Sequence, residues 1–272
     1  MLFTDDIFLR IDRSQAEVAR LEAQADNSQS TLVRSFGAAV GIVTRGSSTL
    51  MNRVVGIGPD DADLIDVIIE WYKAHDIPPR IDVSPALQSP ALTSRLQHHG
   101  LANCGMPNWS RRVLAGAPAT MFPPVLNVEV CSASADDVER IVSIEDQVWK
   151  RPPAALSRRV EQERTKLKLS GFRRYVAKID GDVVSTGNMH LHDRTAYLNN
   201  AATLETYRGK GCQLALLRHR LIEATAAGCD LVHSLVSPDS TSQRNMQRIG
   251  LVVACDREIW MPPDWLKHPF YA

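Results

Sequence analysis

The sequence predicts an α/β (α+β) fold in two domains, each with a mixed, mostly antiparallel central sheet flanked by helices. Three observations support this prediction. The 272 residues exceed what one ordinary domain needs. Strand-like runs alternate with helical segments whose apolar residues recur three and four positions apart. A similar order of elements occurs once in each half of the chain.

Composition and charge argue against several classes of partner. Lys plus Arg and Asp plus Glu number 31 each, so the net charge is zero, and the pI is about 7.1. This balance gives no overall attraction for nucleic acid or an anionic membrane, and we expect neither as a partner. The sequence has no apolar run that could span a bilayer, and its start, MLFTDDIFLR, lacks the basic residues of a secretory signal. Five cysteines without C-x-x-C spacing indicate free thiols, so we predict a cytoplasmic protein.

The first half of the chain is predicted to begin with a helix and to continue with alternating strands and helices. RSQAEVARLEAQ is helical, AAVGIVT and LMNRVVGIG are strands, and residues 61–75 form a helix with one apolar face. RIDVS is a short strand and ALTSRLQHH a helix. The stretch Ala115–Pro124 is rich in Ala, Gly and Pro and is interpreted as a linker. It divides the chain into domains 1–124 and 125–272.

The second half is predicted to open with the strand LNVEV and two helices, the first after Ser132–Ser134 and the second over 155–169. Three strands follow, RRYVAKI, DVVSTGNMHL and AYLNNAAT, the first two joined by a tight turn at Gly181-Asp182. A helix over 211–227, the strand LVHSLVS, the helix TSQRNMQRI and the strand LVVACDREIWM complete the domain.

A short internal repeat relates the two halves. Val83-Ser84-Pro85 precedes a helix that ends at Gly100-Leu101, and Val236-Ser237-Pro238 precedes one that ends at Gly250-Leu251. The order strand, helix, strand, helix, strand is the same around both pairs. Two copies of one unit would explain the length of the chain.

The residues from Tyr207 to Leu217, YRGKGCQLALL, form a glycine-rich turn between a strand and a helix. A chain that turns tightly into a helix points several backbone N–H groups at one spot, and the helix dipole adds partial positive charge there. Arg208 and Lys210 add full charges. The turn therefore suits a pyrophosphate, and a merely structural connection is the alternative.

The order of elements over residues 126–261, with Arg-Gly-x-Gly opening the helix after the fourth strand, resembles the GNAT superfamily of acyl-CoA N-acyltransferases. The family signature Q/R-x-x-G-x-G/A fits at residues 208–211, although Gln213 stands where a small residue is usual. The run SQRNMQRIGL, which ends at Gly250-Leu251, is similar to the second cofactor-binding motif of the family.

This resemblance implies that the second domain binds acetyl-CoA as co-substrate. It further implies transfer of the acetyl group to a primary amine of a small molecule or peptide, by direct attack in a ternary complex. The backbone N–H of Thr203 would donate to the thioester carbonyl, and Ser242 could protonate the leaving thiolate. The implied coenzyme contacts are Ala201, Ala202, Thr203, Arg208, Gly209, Lys210, Gly211, Cys212, Gln213, Ser242 and Asn245.

The acid and the base of this reaction are not defined by the sequence. Many family members carry Tyr where this chain has Met246, and a thioether cannot donate a proton. Five residues could be the base, and the sequence does not rank them: Glu145, Asp239, His190, His192 and His233. The alternative function is a non-catalytic acyl-CoA-binding or regulatory module. A nucleotide-binding protein is disfavoured because no Gly-Lys-Ser/Thr follows the turn.

Several other residues allow both a functional and a structural interpretation. His190 and His192 share a strand face, but no third ligand is evident and we predict no metal. Cys212 begins a helix, which lowers a thiol pKa, yet a small apolar helix residue is the preferred interpretation. Asn199 and Asn200 either recognise substrate or satisfy a strand edge.

The first domain is interpreted as a degenerate GNAT-like copy without a cofactor turn. Gly56-Ile57-Gly58 follows a strand and precedes a helix, but Asp60, Asp61 and Asp63 crowd this turn and would repel a pyrophosphate. Such a copy would act as a scaffold or as one wall of the acceptor cleft. Two internal copies could imitate a dimer, so the chain is expected to be a monomer (pseudo-dimer) or a homodimer.

Overall fold

The computed structural model describes residues 3–26, 31–44, 52–105, 111–118, 122–123 and 125–267. Over these ranges the chain forms seven α-helices and thirteen strands, and the strands make two mixed sheets. The predicted fold class is confirmed. None of the helices in these ranges combines the length and the apolar character that crossing a membrane requires.

Most of the predicted helices and strands are present, but their bounds differ. The observed elements are, in chain order, α1 (Asp5–Gln24), β1 (Thr31–Phe36), β2 (Ala39–Thr44), β3 (Val54–Val55), α2 (Leu64–Lys73), β4 (Ile81–Val83), α3 (Pro90–His98), β5 (Ala102–Asn103), β6 (Arg112–Gly116), β7 (Glu129–Ser132), α4 (Val138–Trp149), α5 (Leu156–Lys166), β8 (Phe172–Ile179), β9 (Asp182–His192), β10 (Thr195–Thr203), α6 (Cys212–Ala226), β11 (Leu231–Val236), α7 (Thr241–Arg248), β12 (Val252–Asp256) and β13 (Glu258–Met261). Strand β1 has no counterpart in the prediction, and α1 begins eight residues before the predicted helix.

The chain divides into two compact units. The central unit comprises residues 114–253, and the terminal unit comprises residues 2–113 together with residues 254–272. The terminal unit therefore contains both ends of the described chain. The linear division at residues 124 and 125 stays a prediction.

The terminal unit is built on a six-stranded sheet with the order β1-β2-β3-β4-β13-β5. Strands β3 and β4 are parallel, and the other neighbouring pairs are antiparallel. Helix α2 packs on this sheet through Ile65, Ile68, Ile69 and Tyr72, whose spacing of three and four places them on one helix face. The hydroxyl of Tyr72 donates to the carbonyl of Ile42 at 2.9 Å, so this buried polar group is satisfied.

The central unit is built on a seven-stranded sheet with the order β12-β6-β11-β10-β9-β8-β7. Strands β7 to β10 are antiparallel neighbours, whereas β10 and β11 are parallel. Leu216, Leu217 and Leu221 of α6 are fully buried against one face of this sheet. Burying each of these leucines contributes about 2 kcal/mol, which fixes α6 directly behind the end of β10.

The two halves of the chain exchange their last strands. Strand β6, at the end of the first half, lies between β11 and β12, and strand β13, at the end of the chain, lies between β4 and β5. Along the chain, each sheet has two parallel strands connected by one helix, followed by a second helix and a further strand. This common order confirms the internal repeat that the sequence predicts.

The prediction of LVVACDREIWM as one strand is wrong. The chain breaks at Arg257 into β12 and β13, which belong to different sheets. The guanidinium of Arg257 is buried and ion-paired with Asp12, and the backbone N–H of Arg257 donates to the carbonyl of Arg111 at 2.9 Å. The first two residues of the predicted linker, Ala115 and Gly116, lie in β6, and residues 119–121 and 124 lie outside the described ranges.

Candidate active site

The parallel strands β10 and β11 separate part-way along their length. They pair only from Thr195 to Tyr197, and beyond this point Ser234 Oγ donates to the carbonyl of Leu198 at 2.7 Å. Strand β10 then bulges between residues 199 and 202, with Asn200 in the left-handed region at φ 46°. A bulge next to a diverging parallel pair leaves one edge of β10 open, which is a place where a ligand can bind to the backbone.

The backbone N–H of Thr203 points to this open edge. The next N–H, that of Leu204, donates to the carbonyl of Val184 on β9 at 3.1 Å, and successive N–H groups of an extended strand point to opposite edges. Ala202 is turned to β9 as well, since its carbonyl accepts from Ser185 Oγ at 2.8 Å. The geometry therefore supports the predicted role of Thr203 as a donor.

The turn from Arg208 to Gln213 follows directly. Gly209 and Gly211 have φ of 78° and 85°, and Gly211 is the N-cap of α6. Within the described chain, the amides of Gly209, Lys210, Gly211 and Gln213 make no hydrogen bond, and no side chain caps the helix. Several unsatisfied N–H groups at the start of a 15-residue helix form a site for an anion.

Two cations border these amides. The side chain of Arg208 is 56% exposed and lies 3.9 Å from Glu205, which is too far for a strong ion pair. Lys210 Nζ lies 4.7 Å from the ring centroid of Tyr207. Both charges remain available to a phosphate group.

Gly211 also has a steric requirement that the sequence does not reveal. A Cβ atom at this position would lie 2.6 Å from Cγ1 of Val125, whereas a Cβ at Gly209 would meet nothing within 4 Å. The positive φ and the contact with Val125 both exclude a side chain at Gly211.

Cys212 is buried at the beginning of α6, and its burial raises the pKa of the thiol. A thiol that stays protonated is a poor nucleophile. The interpretation of Cys212 as a small apolar helix residue is therefore supported.

Helix α7 is joined by a hydrogen bond to the turn from Arg208 to Gln213, which we call the phosphate turn. Asn245 Nδ2 donates to Gln213 Oε1 at 2.6 Å, and Asn245 Oδ1 accepts from Arg248 at 3.0 Å. Gln213, the departure from the usual small residue, thus has a matching partner on α7. Ser242 is half-buried one turn earlier on α7. Met246 is buried in the apolar core.

Three side chains with titratable groups form a row across the sheet. His190 on β9 is opposite Tyr197 on β10, and Tyr197 is opposite His233 on β11. The rings of Tyr197 and His233 are stacked, with centroids 4.7 Å apart and an interplanar angle of 2°. Of the predicted bases, His190 and His233 lie on either side of Tyr197, near the point where β10 and β11 separate.

The other predicted bases are placed differently. Glu145 is buried, accepts from Arg174 at 2.5 Å and lies 3.3 Å from Arg151, so its carboxylate is held by two cations. Asp239 lies in the turn before α7, where its N–H donates to Gln243 at 2.8 Å. His192 is half-exposed at the end of β9. Among the described residues, no three His, Cys, Asp or Glu side chains are arranged to hold a metal ion.

The corresponding turn of the terminal unit differs from the phosphate turn in one decisive contact. The N–H of Gly58 donates to Asp61 Oδ2 at 2.8 Å. A backbone amide of this turn is therefore already bonded to the carboxylate of Asp61 and is not available to a phosphate. This supports the interpretation of the first copy as one without a cofactor turn.

Comparisons with known proteins agree with this geometry. Residues 139–251 match the model of the acetyltransferase (GNAT) family. A GCN5-related N-acetyltransferase from Kribbella flavida is 17% identical with a TM-score of 0.63, over 94% of this chain and 96% of that one. A tandem GNAT protein from the clavulanic acid biosynthesis pathway is 15% identical with a TM-score of 0.56, over 95% and 94%. The chain has a GNAT fold.

The GNAT match encloses the diverging strands, the phosphate turn and α7. The GCN5-related N-acetyltransferase from Sphaerobacter thermophilus is also similar, at 15% identity and a TM-score of 0.56 over 92% of each chain. No curated protein matches the sequence. The predicted GNAT-like fold, with two GNAT-like domains, is confirmed.

Proposed function

We propose that the central unit is an N-acetyltransferase that uses acetyl-CoA as co-substrate and a primary amine of a small molecule or peptide as acceptor. The observation that carries this proposal is the set of unsatisfied amides at Gly209, Lys210, Gly211 and Gln213 beside the open edge of β10. These amides and Arg208 would hold the diphosphate, and the pantetheine arm would lie along Ala201 to Thr203. The thioester would then reach the bulge.

In the proposed reaction the neutral amine nitrogen attacks the thioester carbonyl carbon in a ternary complex. The N–H of Thr203 stabilises the oxyanion that forms. The C–S bond then breaks, the nitrogen loses a proton, and the CoA thiolate gains one, which gives an N-acetyl amine and CoA thiol. Met246 cannot supply that proton. Ser242 or solvent is the proposed donor.

A second candidate function is a non-catalytic acyl-CoA-binding or regulatory module. The burial of Met246 in the core, where many family members have a tyrosine, favours it. This module and the enzyme would bind the coenzyme equally well, so only turnover separates them.

Two measurements test the proposal. CoA should raise the melting temperature of the full chain, whereas ATP and NAD should not, because only CoA joins a diphosphate to a pantetheine arm. Acetyl-CoA mixed with a library of primary amines should release CoA thiol. A thermal shift without thiol release would favour the regulatory module, and no shift with CoA would contradict both functions.

We further propose that the protein acts in the cytoplasm. All five cysteines are free thiols, as the reducing cytoplasm requires. Fractionation of the producing cells would test this.

A further inference from the structure

The face of the central sheet opposite α6 carries a buried polar cluster that the coenzyme would not contact. Arg174 on β8 has a fully buried side chain and donates to Glu145 on α4 at 2.5 Å. Its second terminal nitrogen donates to Asn188 Oδ1 on β9, and its Nε lies 3.8 Å from Glu163 on α5. Contacts to two helices and a strand hold this guanidinium in one position.

Asn188 and Asn199 lie opposite each other at the bulge of β10. Directly opposite residues of an antiparallel pair share a face, so both side chains lie on the side of Arg174. Asn188 is fully buried, and its Nδ2 has no hydrogen-bond partner in the described chain, as is true of Asn199 Oδ1. Buried amide groups without a partner indicate a ligand or an ordered water between them.

The cluster has more positive than negative charge. Its charged and titratable groups come from each element that packs on this face: Arg174 from β8, His190 from β9, Tyr197 from β10, His233 from β11, Glu145 from α4, Arg151 from the segment after α4, and Glu163 and Lys166 from α5. Three cations face two carboxylates. An additional positive charge beside Asn199 is therefore unfavourable.

We propose that Asn199 accepts a hydrogen bond from the N–H of the attacking amine, with Asn188 and Arg174 as positioning residues, and that this site takes the amine uncharged. The inference rests on the proposed acetyl transfer. The coenzyme would enter from the side of α6 and α7, so the acceptor reaches the bulge from the opposite face. The favoured acceptors are primary amines that carry no second positive charge.

The chemistry of the reaction supports this arrangement. An ammonium ion has no lone pair and must lose a proton before it can attack. A carboxamide oxygen accepts an N–H without stabilising the ammonium form as strongly as a carboxylate would. The cations behind Asn188 lower the pKa of the bound ammonium further, so more of the bound amine is reactive near neutral pH.

The test uses the full chain, acetyl-CoA, and ethylamine with its mono-, di- and trifluoro derivatives, which differ in basicity more than in size. Release of CoA thiol gives kcat and KM over a range of pH, and calorimetry gives CoA affinity. The variants are N199A and N199D. The matched control is Q147A, which removes an exposed carboxamide of α4 that bonds only to Ser143 in the described chain.

N199A should lower kcat/KM for the amines about tenfold, which corresponds to the loss of one hydrogen bond at a buried site, and should leave CoA affinity within about twofold. N199D should move the acid limb of kcat to higher pH by about one unit, because a carboxylate stabilises the bound ammonium. Q147A should behave as the wild type.

The outcomes separate this inference from the proposed function. Failure of the wild-type chain to bind CoA would contradict the proposed function. If the wild type and all variants acetylate these amines with the same kcat/KM and the same acid limb of kcat, only the role of Asn199 is overturned. A chain that binds CoA but acetylates none of the four amines would also overturn it, since the uncharged trifluoro derivative should react. Retained CoA affinity shows that a variant is folded.

Discussion

At the scale of single residues, the phosphate turn combines an exposed, charged side chain with backbone amides whose positions are set by two glycines. Arg208 is exposed, and its contact with Glu205 is long at 3.9 Å, so its charge can follow the diphosphate of the coenzyme. We expect R208A to weaken CoA and dephospho-CoA binding alike, each about tenfold, because the diphosphate is common to both. Calorimetry with the two ligands measures this effect.

The control for Arg208 is Arg194. It lies directly before the first residue of β10, at the end of the strand away from the phosphate turn, and is paired with Asp230 at 2.8 Å. R194A removes the same charge from the same unit and should leave both affinities unchanged. Equal losses in the two variants would mean that net charge, rather than a contact at the turn, controls binding.

Gly211 tests the backbone part of the same site. G211A places a Cβ 2.6 Å from Val125 and strains a residue at φ 85°, so we expect CoA binding to fall at least about tenfold. G228A introduces similar strain at φ 79°, at the far end of α6, where nothing lies within 4 Å. Titration with CoA should find normal affinity in G228A. Normal affinity in G211A would place the diphosphate elsewhere.

The sequence is sufficient to predict residues whose chemistry depends on neighbours along the chain. The glycines and the arginine of the turn are of this kind, since strand, turn and helix follow one another. Arg174 and Asn188 are not, because their importance depends on which residues of β8, β9 and β10 lie opposite each other. A shift of one residue in register would turn every side chain to the other face, and no local pattern fixes that register.

At the scale of elements, long segments with clear periodicity are predicted well and short ones poorly. The predicted bounds of β8, β9 and β10, which are eight to eleven residues long, are close to those in the structure. By contrast, β3 retains two residues of a nine-residue prediction, the first two of which lie outside the described ranges. The sequence predicts the last two strands as one because Arg257 alone separates β12 from β13. The position of such a break depends on ion pairs between segments that are distant in the sequence, such as that of Arg257 with Asp12.

One of these pairs joins β6 to β12. Arg112 donates to both carboxylate oxygens of Asp256, at 2.8 and 2.9 Å, and this contact lowers the pKa of Asp256. A lowered pKa contributes stability that is present above the unfolded value of about 3.9 and is lost as pH falls through the folded value. We expect D256N to cost about 1 kcal/mol at pH 7, and progressively less as pH falls below about 3.9 and through the folded pKa of Asp256.

Urea unfolding of the wild type and D256N across this pH range measures the difference. The exposed pair of Arg194 and Asp230 provides the comparison, and D230N should change stability by less than about 0.5 kcal/mol at any pH. A D256N effect that persisted at low pH would show that the pair acts through packing and not through charge.

At the scale of the whole molecule, the exchange of final strands joins β13 to the sheet of the first half. Ile259, Trp260 and Met261 of β13 are buried in the terminal unit, where the strand pairs with β4 and β5. The repeat itself is visible in the sequence, but the exchange is not. Either copy would accept either strand by hydrophobic pattern alone, and only the assembled sheets show the choice.

A chain that ends at Asp256 tests this exchange directly. It lacks β13, so β4 and β5 lose the strand between them and the buried Asp12 loses Arg257. Burial already raises the pKa of Asp12, and without the arginine its charged form loses its ion-pair partner and keeps the hydrogen bond from Ser84. Hydrogen exchange should therefore accelerate in β1 to β5, while the amides of β8, β9 and β10 stay protected.

Substituting Trp265, which follows β13, with Ala in the full-length chain provides the control and should leave β1 to β5 protected. Uniform acceleration in both sheets would mean that the two units unfold as one, and unchanged protection in β1 to β5 would mean that β13 contributes little to the sheet.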